Sequence, residues 1–110
     1  MGVRAACATT VMCVALSACG TVARSVDLAD LVQHQDSFNG VRLSARGDVR
    51  AIHDASGDYF VLEDEHQDRV AMLPSARAAP YSGQQVEVVG TFRFDQKAGR
   101  RIEIESIVAR

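Results

Sequence analysis

Two stretches of this chain alternate with a period of two, and both carry a glycine at their midpoint. In "VRLSARGDVR", residues 41–50, Val41, Leu43, Ala45, Gly47 and Val49 alternate with Arg42, Ser44, Arg46, Asp48 and Arg50. In "QQVEVVGTFRFD", Val86, Val88, Gly90, Phe92 and Phe94 share one side. Successive side chains of a strand point to opposite faces, so each stretch reads as a long strand with one apolar face and one polar face. A glycine in the middle of the apolar face implies a sharp bend or a bulge. A long strand bent in the middle is what a small barrel needs if one strand is to serve two of its sides.

Three shorter segments complete the pattern. "YFVLED" is expected to turn Phe60 and Leu62 inward, with Tyr59, Val61 and Glu63 outward. "RVAML" continues the inner face with Val70 and Met72, and Pro74 ends it, because proline cannot donate to a sheet ladder. "RRIEIESIVAR" places Ile102 and Ile104 inward, Glu103 and Glu105 outward. "HDASGD", "EHQD" and "QKAG" are turns, and "PSARAAPYSG" has room for one or two turns of helix. Ahead of the strands, Leu28, Leu31, Val32 and Gln35 fall at helical spacing, with Ser25 or Asp27 available as N-cap and "DSFNG" closing the helix.

The fold expected is mainly β: five antiparallel strands with a long third connection, curled to hide their edges, and preceded by one short helix. That order, together with "FNGVRLSARGDV", "YFVLEDEHQDRVAML" and "YSGQQVEVVGTFRF", resembles an OB-fold barrel. The lettering is similar to small exported bacterial OB-fold proteins and to tRNA-anticodon-binding-like relatives, over about residues 38 to 108. The third connection is shorter than a barrel-capping helix needs, so the helix near residues 26 to 35 is expected to cover one end instead.

The N-terminus carries an address. Arg4 is the one charge in the first 18 residues, and "AACATTVMCVAL" has the length of a secretory h-region, short of the ~20 residues that span a bilayer. Leu16, Ser17, Ala18 and Cys19 resemble a bacterial lipoprotein lipobox. The resemblance implies a signal peptide over 1–18, a diacylglycerol on the sulfur of Cys19, acylation such as palmitate on its amine, and a tether over 19–25 ahead of a domain over 26–110. Only cysteine supplies the thiolate that this modification needs. Two or more acyl chains make a stable anchor. Residues 20–25 reach roughly 20 Å when extended, which keeps the domain near the lipid surface. Gly20 stands where an inner-membrane retention signal would have Asp, so the resemblance favours the outer membrane where the host has one.

Processing would also remove Cys7 and Cys13, leaving a domain with no disulfide and no free thiol. It would remove one of 12 basic residues and none of 14 acidic ones, for a side-chain balance of −3. A mildly acidic domain argues against a broad phosphate-binding surface.

OB-folds bind across strands 2 and 3 and in the loops joining strands 1 to 2 and 4 to 5. Those places hold Tyr59 and Val61, then His53, Asp54 and Asp58, then Asp95, Lys97 and Arg100. Tyr59 is the one aromatic placed on that face, with Phe60, Phe92 and Phe94 assigned to the core. Arg42, Arg46 and Arg50 form an outward basic stripe, read first as a solvated surface pairing with outward acids. His53 and His66 lie beside carboxylates, but in no established metal-site spacing, and His34 reads as a surface residue. "EDEHQD" lacks the ligand ladder and glycine of an EF-hand. No nucleophile elbow or phosphate loop occurs, so neither an enzyme nor a cofactor nor a bound metal is expected.

The leading expectation is a non-enzymatic, lipid-anchored, periplasmic module that binds an envelope protein or glycan through Tyr59, Arg46, Arg50 and His53. Polyanion or single-stranded nucleic-acid binding by the arginine stripe is the first alternative. A metal-dependent enzyme using His53 and His66 is the second.

Overall fold

The computed structural model describes residues 23–110. The signal segment, the lipobox, Cys19 and the first residues of the tether lie outside the described residues. In chain order the elements are β1 (Arg24–Ser25), α1 (Leu28–Gln33), α2 (Gln35–Phe38), β2 (Arg42–Asp54), β3 (Gly57–Glu63), β4 (Arg69–Leu73), α3 (Ser75–Ala78), a 3-10 turn (Ala79–Tyr81), β5 (Gln85–Asp95) and β6 (Gly99–Ala109).

The protein is mainly β, with one six-stranded mixed sheet in the order β1-β2-β3-β4-β6-β5 and a further β2–β5 pairing. Hydrogen bonding therefore runs in a ring through β2, β3, β4, β6 and β5 and returns to β2. Five antiparallel strands were expected, and two features differ. A ring of five cannot alternate direction throughout, so one junction must be parallel; it is β4–β6, over Ala71 to Leu73 against Arg101 to Glu103. The sixth strand is β1, two residues paired parallel to β2 at Leu43 and Ser44, too short to announce itself by periodicity.

The long strand β2 explains how the ring closes. Arg42 to Asp48 pair with β5, and Asp48 to Asp54 pair with β3. The hand-over falls beside Gly47, where a methyl group would lie 2.7 Å from the Glu63 carbonyl oxygen. The absent side chain lets β3 cross that closely.

Alternate residues fill the ring as expected: Leu43, Ala45, Val49, Leu62, Val70, Met72, Val86, Val88, Phe92, Ile102 and Ile104 are buried in one cluster. Leu28 and Leu31, three apart on α1 and so on one face, join it, as does Ala78 of α3. Each such large side chain contributes about 1.5–3 kcal/mol by leaving water. Asp27 is the N-cap residue, but it bonds through its backbone carbonyl, which accepts from Asp30 at 3.0 Å. Ser25 belongs to β1.

The expected single helix breaks at His34, and "QDSF" forms a second helical turn rather than part of the closing loop. Tertiary anchors override the turn propensity of Asp36 and Ser37: Phe38 packs against the core under the Arg24 guanidinium, 5.6 Å from the ring centroid. Phe60 and Phe94, expected in the core, are only half buried. Val61 and Glu63, expected to face out, are 4% and 5% exposed, so the outer face of β3 is covered at its C-terminal end and partly open at Tyr59.

Candidate functional site

The outer surface of the ring carries a cleft of about 440 Å³ lined by Ile52, Ser56, Tyr59, Val61, Arg69, Ala71, Leu73, Ala98, Arg100 and Arg101. It lies between two hairpin turns, with β3 and β4 as its floor and the start of β6 as a wall.

One edge is built by the β2–β3 hairpin. Asp54 organises it: Oδ1 accepts the Ser56 N–H at 2.8 Å, and Oδ2 accepts the Tyr59 hydroxyl at 2.9 Å. That carboxylate holds the Tyr59 proton, raising the phenol's pKa above its ordinary value. Tyr59 is thereby fixed as a neutral ring at the cleft edge. His53 and Asp58 are cross-strand neighbours with Nδ1 and Oδ1 2.6 Å apart. They lie on paired strand ends, since the turn itself is only Ala55 and Ser56.

The opposite edge is the β5–β6 hairpin. Asp95 accepts the Ala98 N–H at 2.6 Å and an Arg101 guanidinium N–H at 3.0 Å, and these bonds hold its carboxyl below the usual range. Arg101 is thus tied to its own turn. Arg100 shares the parity of Ile102 and Ile104 and emerges at the mouth of the ring. There it donates to the Arg69 carbonyl at 3.3 Å and to Gln35 Oε1 of α2 at 3.2 Å.

On the same face, next to Val61, buried Glu63 accepts from Arg69 and from Arg50, the latter at 2.8 Å. The Arg69 bond first, and then Arg50, keep the Glu63 carboxyl ionised below its ordinary range. Because the folded pKa is depressed, the associated stability is complete above the unfolded carboxyl value of about 4.3 and is lost as pH falls through the lower folded value. Glu63→Gln is therefore expected to lower the urea midpoint at pH 7 and to leave a wild-type-minus-variant gap that shrinks towards pH 2. A gap constant from pH 7 to pH 2 would show that the ionised carboxylate contributes nothing.

Of the four residues singled out from the sequence, Tyr59 lines the cleft. Arg50 is outside the lining and engaged with Glu63, and exposed His53 pairs with Asp58. Arg46 lies elsewhere, 3.8 Å from Glu87 and lining two other concavities with Asp64 and Glu65. The arginine stripe is matched by outward acids, since Arg42 bonds Glu105 at 2.8 Å. His66 meets Glu65 at 3.6 Å, and among the described residues no three His, Cys, Asp or Glu side chains gather as a metal site would require. Sequence reasoning missed Arg69, Ala71, Leu73 and Arg101. No local signal marked them: β4 and β6 flank one another only through the parallel junction, which a hairpin-by-hairpin reading does not supply.

No family model matches the chain, and no curated protein matches it. Among solved structures, the chain is similar to a protein described as an aspartyl-tRNA synthetase from Leishmania major Friedlin, at 12% identity and a TM-score of 0.56. The likeness covers 81% of this chain and 21% of that one, so the chain spans about a fifth of that protein's length. At this identity the similarity speaks to the fold alone.

Proposed function

We propose that the chain is an OB-fold binding module without enzymatic activity, exported and held on a membrane by lipid on Cys19, whose ligand face is the cleft over β3 and β4. The observation that carries the reading is the position of that cleft. It lies across the second and third strands of the five-stranded ring, between the turn joining the first two strands and the turn joining the last two. OB-folds bind ligands at that place. The likeness to a synthetase fragment supports the barrel and leaves the ligand open.

The arginine stripe is occupied by Glu105, Glu87 and Glu63, which favours an envelope partner over a polyanion wrapped on that surface. The lipobox and the short tether support placing this module on the periplasmic side of the envelope.

Photo-crosslinking tests the surface assignment. With the full lipidated chain in cells, a photoreactive residue at Leu73 or Ser56 is expected to give a discrete adduct, and one at exposed Gln33 none. Equal labelling at all three positions, or no adduct in the cleft, would overturn it. Cys19→Ser is expected to move the protein out of the membrane fraction, and unchanged fractionation would remove the anchor from the proposal.

A further inference from the structure

We infer that the cleft takes a segment of a partner protein that presents one acidic side chain beside apolar ones, with Arg100 receiving the carboxylate. This rests on the binding-module reading and deepens it by naming the ligand's chemistry.

The lining of the cleft holds three cations, Arg69, Arg100 and Arg101, and no Asp or Glu, in a chain with 14 acidic and 12 basic residues. The two other concavities carry carboxylates: Asp48, Glu63, Asp64 and Glu65 in one, Asp27, Asp64 and Glu65 in the other. Within the cleft the three arginines are not equivalent. Arg69 is held by Glu63 and Arg101 by Asp95. Among the described residues Arg100 donates to a backbone carbonyl and an amide oxygen, and no carboxylate lies within ion-pair distance of it. A guanidinium has five N–H donors in a planar fork suited to a carboxylate. Arg100 is therefore a half-buried positive charge, positioned by neutral acceptors, with donors remaining for an anion.

The floor sets the rest of the ligand. Val61, Ala71, Leu73 and Ile52 are apolar, and Leu73 is 40% exposed, one of two large hydrophobic side chains left so open among the described residues. A simple inorganic anion would leave that floor in water. A polynucleotide needs a track of cations with stacking rings along it, whereas these cations cluster on the β4–β6 side and Tyr59 is the one aromatic in the lining. Sugar hydroxyls need acceptors as well as donors, and the only acceptor side chains of the lining are the Ser56 and Tyr59 hydroxyls, with no carboxylate or amide. A protein segment with one acid between apolar residues matches both halves of the cleft.

The test uses the full lipidated chain in non-ionic micelles and two pools of fluorescent, end-capped pentapeptides with apolar flanks, one with central Glu and the other with central Gln. A charge-assisted bond to Arg100 should make the Glu pool bind roughly tenfold tighter or more at low salt. Arg100→Gln should abolish that preference, Arg100→Lys should retain part of it, and Arg110→Gln should leave it intact. Equal binding of the pools, no binding by either, or a preference that survives Arg100→Gln would overturn the inference. Tighter binding of a single-stranded oligonucleotide that is lost in Arg100→Gln would also overturn it. Crosslinking at Leu73 in cells reads the broader proposal separately, since a cleft adduct alongside failed peptide binding rejects the ligand class and keeps the site.

Discussion

Gly90→Ala is expected to destabilise the protein by about 3 kcal/mol or more, the top of the range for forcing a methyl group into a packed site. A methyl built on Gly90 falls 2.1 Å from the Glu103 carbonyl oxygen and 2.9 Å from Ile102 Cγ2. The obstruction is backbone, so no rotamer change relieves it and β5 must move away from β6. Register makes this worse. Val89 pairs with Ser106 and Gly90 with Ile104, leaving Glu105 as the extra residue of a bulge. The Arg77 guanidinium already satisfies the carbonyls there, at 3.3 Å to Ile104 and 2.9 Å to Glu105. Moving β6 would strain those bonds and the Arg42–Glu105 pair together. Urea unfolding followed by circular dichroism should show a much lower midpoint for Gly90→Ala, with Gly47→Ala less affected because its closest contact is 2.7 Å. A wild-type midpoint in Gly90→Ala would mean that the bulge does not need the glycine.

The two glycines show why the fold was legible. Each stands in the middle of an alternating strand, and alternation alone fixes which residues share a face, so Leu43, Val49, Val88 and Phe92 could be placed inside before any pairing was known. What alternation cannot give is the partner across the ring. The β4–β6 junction joins segments separated by a helical connection and a whole strand, with only three residue pairs, and no local pattern encodes it. The site inherited that limit. Tyr59 and Arg100 were found on the two hairpins, where chain neighbours are spatial neighbours, whereas Arg69 and Leu73 reach the cleft only because β4 lies beside β6. Arg46 shares sequence parity with Arg50, but β2 bends and changes partners between them, so one stripe in sequence becomes two surroundings in space. The buried state of Glu63 was hidden for a similar reason: its two arginines come from β2 and β4, 13 and 6 residues away.

Phe92→Ala should be at least as damaging, at about 3–5 kcal/mol, the usual range for emptying a buried aromatic site. Phe92 is fully buried and is among the largest side chains in the core. Its backbone also fastens the start of β2: the Phe92 N–H donates to the Val41 carbonyl at 3.0 Å, and its carbonyl accepts from Gly40 at 2.7 Å. Those bonds keep the strand from sliding into the space left by the ring, so the cavity collapses poorly and the cost stays high. Small domains hold only about 5–15 kcal/mol in all, so the variant should be partly unfolded in modest urea. Phe94→Ala provides the contrast. It has the same side chain and parity, two residues on, but it is half exposed at the ring mouth, where its N–H donates to Asn39 Oδ1 at 3.0 Å and water can fill the space. Its midpoint should fall much less. Equal losses for the two variants would mean that the ring interior is no better packed than its mouth, and that the closed sheet is not the main source of stability.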